Sequence, residues 1–169
     1  MLKFVSGFLA AIVFIAVAGY SYFALGFAPV ATAAPPIPFE TTLAKIGLEK
    51  AIAGHMPATV PMAASEENFI AGAKNYRTYC AMCHGLPGQP ETAIGAGEFP
   101  KPPQLFKGKG VSDDPAGETY WKVANGIRLT GMPAFGKSLT DAQIWQMSLL
   151  LANSDKLPES VRTILNAPF

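Results

Sequence analysis

Two thiols three residues apart, followed at once by an imidazole, make the most reactive stretch of this 169-residue sequence: Cys80-Ala81-Met82-Cys83-His84. On one helical turn, positions i and i+3 share a face. Both sulfurs then meet one edge of a flat ligand while His84 turns beneath it. This is the C-x-x-C-H pattern of covalent haem attachment. The thiols add to the two vinyl groups of a haem, and the tether brings His84 close enough to ligate the iron. No other cysteine exists in the chain, so both are used and no disulfide remains to be placed. A thioredoxin-like pair belongs at a βα junction within a βαβ pattern, which this sequence lacks. Zinc needs two further ligands, and the only other histidine, His55, cannot supply both.

A haem iron held from one side by histidine offers a second axial position. The candidate ligand is Met132, in Gly131-Met132-Pro133-Ala134-Phe135, 48 residues after His84. A methionine in a core needs no explanation beyond packing, but a loop methionine flanked by glycine and proline, after a haem motif, is presented for coordination. His55, Met56 and Met62 are chemically competent but lie upstream beside a proline-rich loop, and read as surface or packing residues. Met82 sits inside the attachment turn and is badly aimed, and Met147 occupies a helical position. A carbonyl of Pro102 or Pro103, in the stiff run Pro100-Lys101-Pro102-Pro103, is expected to accept the Nδ1–H of His84 and so fix the ring.

These side chains need helices to carry them. Ser65 is an N-cap, followed by Glu66 and Glu67 where the helix dipole favours acids. Phe69, Ala73, Tyr76 and Cys80 then recur every three or four residues as one buried stripe, so this helix delivers the motif at its C-terminal end. Gly72 on the same helix leaves room for a second helix to approach. Gly85 to Gly110 holds six glycines and five prolines and reads as irregular structure wrapping a site. Asp114-Pro115 predicts an N-cap and first helical residue, and Asn125-Gly126 a stop. Trp121 between them fills the core or faces a propionate. Thr140 with Gln143 predicts a capping box opening a helix through Ile144, Trp145, Met147 and Leu149 to Leu151, the expected partner of the Gly72 helix. A short helix over 158–165, with Val161, Ile164 and Leu165 inward, closes the chain.

At the other end, no charged residue lies between Lys3 and Glu40. Phe4 to Phe27, 24 residues, make a helix about 36 Å long, enough to cross a hydrocarbon core of about 30 Å. Small residues at Ala31, Ala33 and Ala34 resemble a cleavage site, but the apolar run exceeds that of an ordinary signal peptide. It is read as a retained anchor, with Tyr20 and Tyr22 toward the outer interface and Lys3 pointing to an inner N-terminus. The expected organisation is an anchor over 1–28, a proline-rich linker with a short helix near Thr41 to Ala53 over 29–64, and a haem domain over 65–169. That domain carries ten Lys/Arg and ten Asp/Glu. Its neutrality argues against nucleic acid and against docking by large net charge.

With these residues in view, residues 65 to 153 resemble the class I cytochrome c family. Cys80, Cys83 and His84 match its attachment motif, Met132 its distal ligand, Gly72 and Tyr76 the small and aromatic positions of its N-terminal helix, and Ile144-Trp145 its C-terminal helix. Leu150 stands where many members place an aromatic. The resemblance implies an all-α fold of few helices around one covalent haem c, preceded here by a transmembrane helix, and a role in electron transfer rather than enzymatic catalysis. The expected function is a monohaem carrier of single electrons in the bacterial inner membrane. It is single-pass, with its haem domain in the periplasm, serving a respiratory dehydrogenase, cytochrome complex or terminal oxidase, and is either a free carrier or a subunit of a larger complex. The competing reading is a haem sensor or peroxidase-like enzyme in which Met132 dissociates.

Overall fold

In the computed structural model, residues 1–108 and 111–168 are described. The glycine- and proline-rich stretch from Gly85 thus ends on two positions, 109 and 110, outside the described residues. Among the described residues there are eight helices and no strand: α1 (Leu2–Ala24), α2 (Glu40–His55), α3 (Glu66–Tyr79), α4 (Ala81–His84), α5 (Ala93–Gly97), α6 (Ala116–Asn125), α7 (Asp141–Ala152) and α8 (Glu159–Asn166). They divide into two compact units, Met1–Glu40 and Thr41–Phe169.

The first unit is essentially α1. Its Lys3–Ala24 portion is long and apolar enough to cross a membrane. Phe4, Phe8, Phe14, Ile15 and Phe23 are all exposed, so the helix is apolar around its circumference.

In the second unit the core is built where α3 meets α7. Phe69, Ala73 and Tyr76 of α3 pack with Leu149, Leu150 and Leu151 of α7 and with Val161 and Leu165 of α8. Full burial of such side chains contributes about 1.5–3 kcal/mol each. Gly72 lets the two long helices touch: a Cβ there would run into the backbone carbonyl of Gln146 and lie 3.2 Å from Leu150 Cβ. A smaller cluster, Val123, Leu139, Ile144 and Met147, joins α6 to α7, and Tyr120 stacks on Trp145 with ring centroids 4.3 Å apart. Cys80 packs against both clusters. Arg77 fastens the C-terminal end to α3 by donating to the carbonyls of Leu165 (3.2 Å), Ala167 (2.7 Å) and Pro168 (2.7 Å).

α7 starts as its sequence predicts. Thr140 Oγ1 accepts from Gln143 N at 3.3 Å while Gln143 Oε1 accepts from Thr140 N at 3.0 Å. Thr140→Ala removes one half of this box and is expected to lower stability by about 1 kcal/mol, read as a lower urea midpoint with unchanged slope.

Three local expectations shift. α2 is longer than its apolar pattern, running from Glu40 to His55 with only Ile52 buried. α6 begins at Ala116, its N-cap is Pro115, and no side chain caps it, so Asp114 does not serve there. The first turn of α6 lies close against Pro57, into whose carbonyl a Cβ on Gly117 would run. α5 lies inside a stretch the sequence reads as irregular. Its glycines hide it, and Thr92 caps it by accepting from Gly95 N at 3.0 Å.

Candidate haem site

Cys80, in helical backbone conformation, links α3 to α4. Cys80 N donates to Tyr76 O at 2.8 Å and His84 N to Cys80 O at 2.9 Å, so the motif continues the helical path and keeps the two sulfurs three residues apart on one turn. Gly85 ends it at φ +73, where an added side chain would also meet the Gln104 amide at 2.9 Å. Two contacts brace this turn from outside. The buried Tyr76 hydroxyl donates to Gly85 O at 2.7 Å, and Thr92 Oγ1 donates to Met82 O at 2.7 Å.

His84 Nδ1 lies 2.8 Å from the carbonyl oxygen of Pro103. A carbonyl only accepts, so Nδ1 carries the hydrogen and Nε2 keeps its lone pair. Burial holds the imidazole below its usual pKa, against the opposing effects of the Pro103 hydrogen bond and the Glu98 charge. The neutral, ligating form is therefore favoured. Between the two prolines the sequence left open, the acceptor is Pro103.

The thiols differ. Cys80 Sγ sits 3.8 Å from Met147 Sδ, and burial, aided by Cys83, pushes its pKa up to about 12. Cys83 donates to Glu98 Oε1 at 3.1 Å. Burial first, then Glu98, pushes it up to about 11.

Met132 belongs to the loop from Gly126 to Leu139, which folds back on the end of α6. Gly126 turns at φ +66, where a Cβ would lie 2.9 Å from Met132 O. Ile127 N donates to Met132 O at 3.2 Å, and Phe135 N and Gly136 N donate to Val123 O and Ala124 O at 2.9 and 3.0 Å. Thr130 Oγ1 donates to Ile127 O at 2.7 Å and accepts from Met132 N at 3.1 Å. Thr130 and Gly126 hold this backbone, in addition to the Gly131 and Pro133 that flank Met132 in the sequence.

Cys80, Cys83, His84 and Met132 line one pocket, with Tyr79, Val123, Ile127, Phe135 and the Pro100–Pro103 run as walls and Glu98 among the lining residues. His55 is exposed, its Nδ1 hydrogen-bonded to Ala51 O at 2.8 Å. Met62 packs on the α3–α7 core, and neither it nor His55 nor Met56 lines the pocket. Met82 is 54% exposed and Met147 1% exposed. Trp121 is half-buried on α6. Glu98 escaped the sequence reading, and nothing local marks it.

These residues fit a covalently held haem. Two thiols on one rim, one imidazole with a free Nε2 and one thioether share a pocket with largely apolar walls, and nitrogen plus soft sulfur suits haem iron. Among the described residues no group of three or more His, Cys, Asp or Glu is placed to hold a bare metal ion.

The profile of the family described as cytochrome C oxidase, cbb3-type, subunit III matches residues 67–149. Among solved structures, a chain of the reducing HAO-like protein complex of Kuenenia stuttgartiensis superposes with a TM-score of 0.49 at 24% identity. The match covers 62% of this chain and 54% of that one, so this chain spans about half of its length. No curated protein matches at a significant level. A cytochrome c domain implies covalently bound haem c with its iron, and electron transfer as its work. Residues 67–149 are thus a c-type cytochrome domain of the class I kind.

Proposed function

We propose that this chain is a monohaem carrier of single electrons on the periplasmic side of a bacterial inner membrane, held there by α1. Cys80 and Cys83 form the two thioethers, and His84 and Met132 are the axial ligands. The observation that carries this reading is the convergence of all four side chains on one pocket with largely apolar walls. Haem, when bound, supplies an iron that changes by one electron. The protein's part is to fix and enclose it. The Pro103 carbonyl fixes the His84 tautomer and ring plane, which raises the basicity of Nε2. The loop held by Thr130 presents the Met132 thioether, a soft donor that favours the reduced state. With both axial positions filled, no place is left for oxygen or substrate chemistry, which separates a carrier from a sensor or peroxidase-like enzyme. Val123, Ile127 and Phe135 supply apolar wall to the pocket.

Covalent c-type haem belongs to exported domains, and the apolar circumference of α1 supports a retained anchor. The matched profile is named for an oxidase subunit. This supports service as a subunit of a larger respiratory complex, with a dehydrogenase, a cytochrome complex or a terminal oxidase as electron partner.

Expression of the full chain with a c-type maturation system tests this. Haem should stay with the polypeptide after denaturing electrophoresis, in the membrane fraction, and the intact mass should correspond to one haem and an uncleaved α1. The double substitution Cys80→Ser with Cys83→Ser should abolish the haem stain. Wild-type haem that washes out in acidified acetone would sink the proposal.

A further inference from the structure

Glu98 is a carboxylate in a pocket whose other walls are largely apolar. It follows α5 in extended conformation and turns its side chain inward, half-buried. Its Oε1 takes the Cys83 thiol hydrogen at 3.1 Å. The other side of the carboxylate rests on Gly131. A Cβ at position 131 would lie 3.0 Å from Glu98 Oε1, 2.5 Å from Cδ, and in collision with Oε2. Glycine at 131 therefore has a spatial reason: the missing side chain is the space the carboxylate occupies. Lys101, which lines the same pocket, spends its ammonium on Glu91 at 3.3 Å.

Resting on the haem reading above, we infer that Glu98 is a residue that sets the redox potential of this site, lowering it. When Cys83 adds to a vinyl group, its S–H bond breaks, an S–C bond forms and the hydrogen goes to the other vinyl carbon. No electron acceptor is needed. The step removes the hydrogen that Cys83 donates to Glu98 Oε1. The carboxylate then remains between the attached sulfur and the loop that carries Met132. A negative charge at short range in a weakly screening pocket stabilises the oxidised, more positive iron centre over the reduced one. It acts against the Met132 thioether and the apolar walls, which favour reduction. The site is thus held below the potential its axial pair alone would set.

Potentiometric titration of full-length holoprotein tests this with Glu98→Gln, which keeps the shape and removes the charge. Glu67→Gln, exposed at the far end of α3, controls for net charge. The Glu98→Gln midpoint should rise above wild type and above the control, with the visible spectrum and carbon monoxide behaviour unchanged. Gly131→Ala displaces the carboxylate without removing it and should shift the midpoint the same way, so the test survives if one variant misfolds. A midpoint that stays put or falls in both variants overturns the role of Glu98 while leaving the haem reading intact. Wild type without covalent haem overturns that reading itself.

Discussion

Replacing Met132 by alanine is expected to turn a protein that refuses carbon monoxide into one that binds it. Carbon monoxide attacks ferrous haem only where an axial position is open. On the proposed assignment His84 fills one position and Met132 the other, and of the remaining methionines of the second unit Met82 is exposed, Met147 is buried against Cys80, and Met56 and Met62 do not line the pocket. Truncation at Cβ leaves the loop in place, because the hydrogen bonds that hold it come from backbone groups and Thr130. The change should therefore be close to all-or-none: no spectral shift for reduced wild type under carbon monoxide at neutral pH, and full conversion for Met132→Ala. Met82→Ala should behave as wild type. Ready binding by wild type would mean that the iron is open or its ligand labile, and would favour the sensor or peroxidase-like reading.

The second large effect is on stability. Gly72→Leu is expected to destabilise the holoprotein by about 3 kcal/mol or more, the upper end for overpacking a filled interior. What a new Cβ meets at Gly72 is the Gln146 carbonyl, part of the α7 backbone, which no rotamer change can move aside. Relief requires the helices to separate, and separation unpacks Ala73, Tyr76 and Leu150 together. Gly72→Ala should cost less but in the same direction. Guanidinium unfolding followed by helix signal and haem absorbance should show both midpoints below wild type, with Gly72→Leu lowest. An unchanged midpoint would mean that the α3–α7 contact is looser than the geometry describes. Carbon monoxide refusal by whatever fraction remains native would separate this packing defect from a lost ligand.

What was legible in the sequence is what short-range geometry governs. The attachment turn needs only helical periodicity over five residues. The caps at Ser65 and Thr140 act within three residues of themselves. The stripe through Phe69, Ala73 and Tyr76 repeats with the helix, and α1 declares itself by length and apolarity alone. A small residue at Gly72 reads as room for a neighbour, and that neighbour, α7, was identifiable because few of its faces can be left in water.

The tertiary structure decided what depends on segments distant in the chain. Whether Pro102 or Pro103 meets His84 turns on where a loop nineteen residues on comes to rest, and the two prolines look alike to any local rule. Met132 stands between a glycine and a proline, yet its backbone is held by Thr130 and by the return of the loop onto α6. Asp114 has the chemistry of a cap, but α6 begins one residue later, after Pro115, with no side-chain cap. Five-residue α5 has too few positions to show a period, so Glu98 behind it carried no signal. Its meaning arises only when Cys83, fifteen residues before it, and Gly131, on a loop beyond α6, are brought to either side of one carboxylate. Local helical preference can set a motif's internal spacing, but the charge and the hydrogen-bond acceptor placed beside it come from chain closure, which only the folded packing specifies.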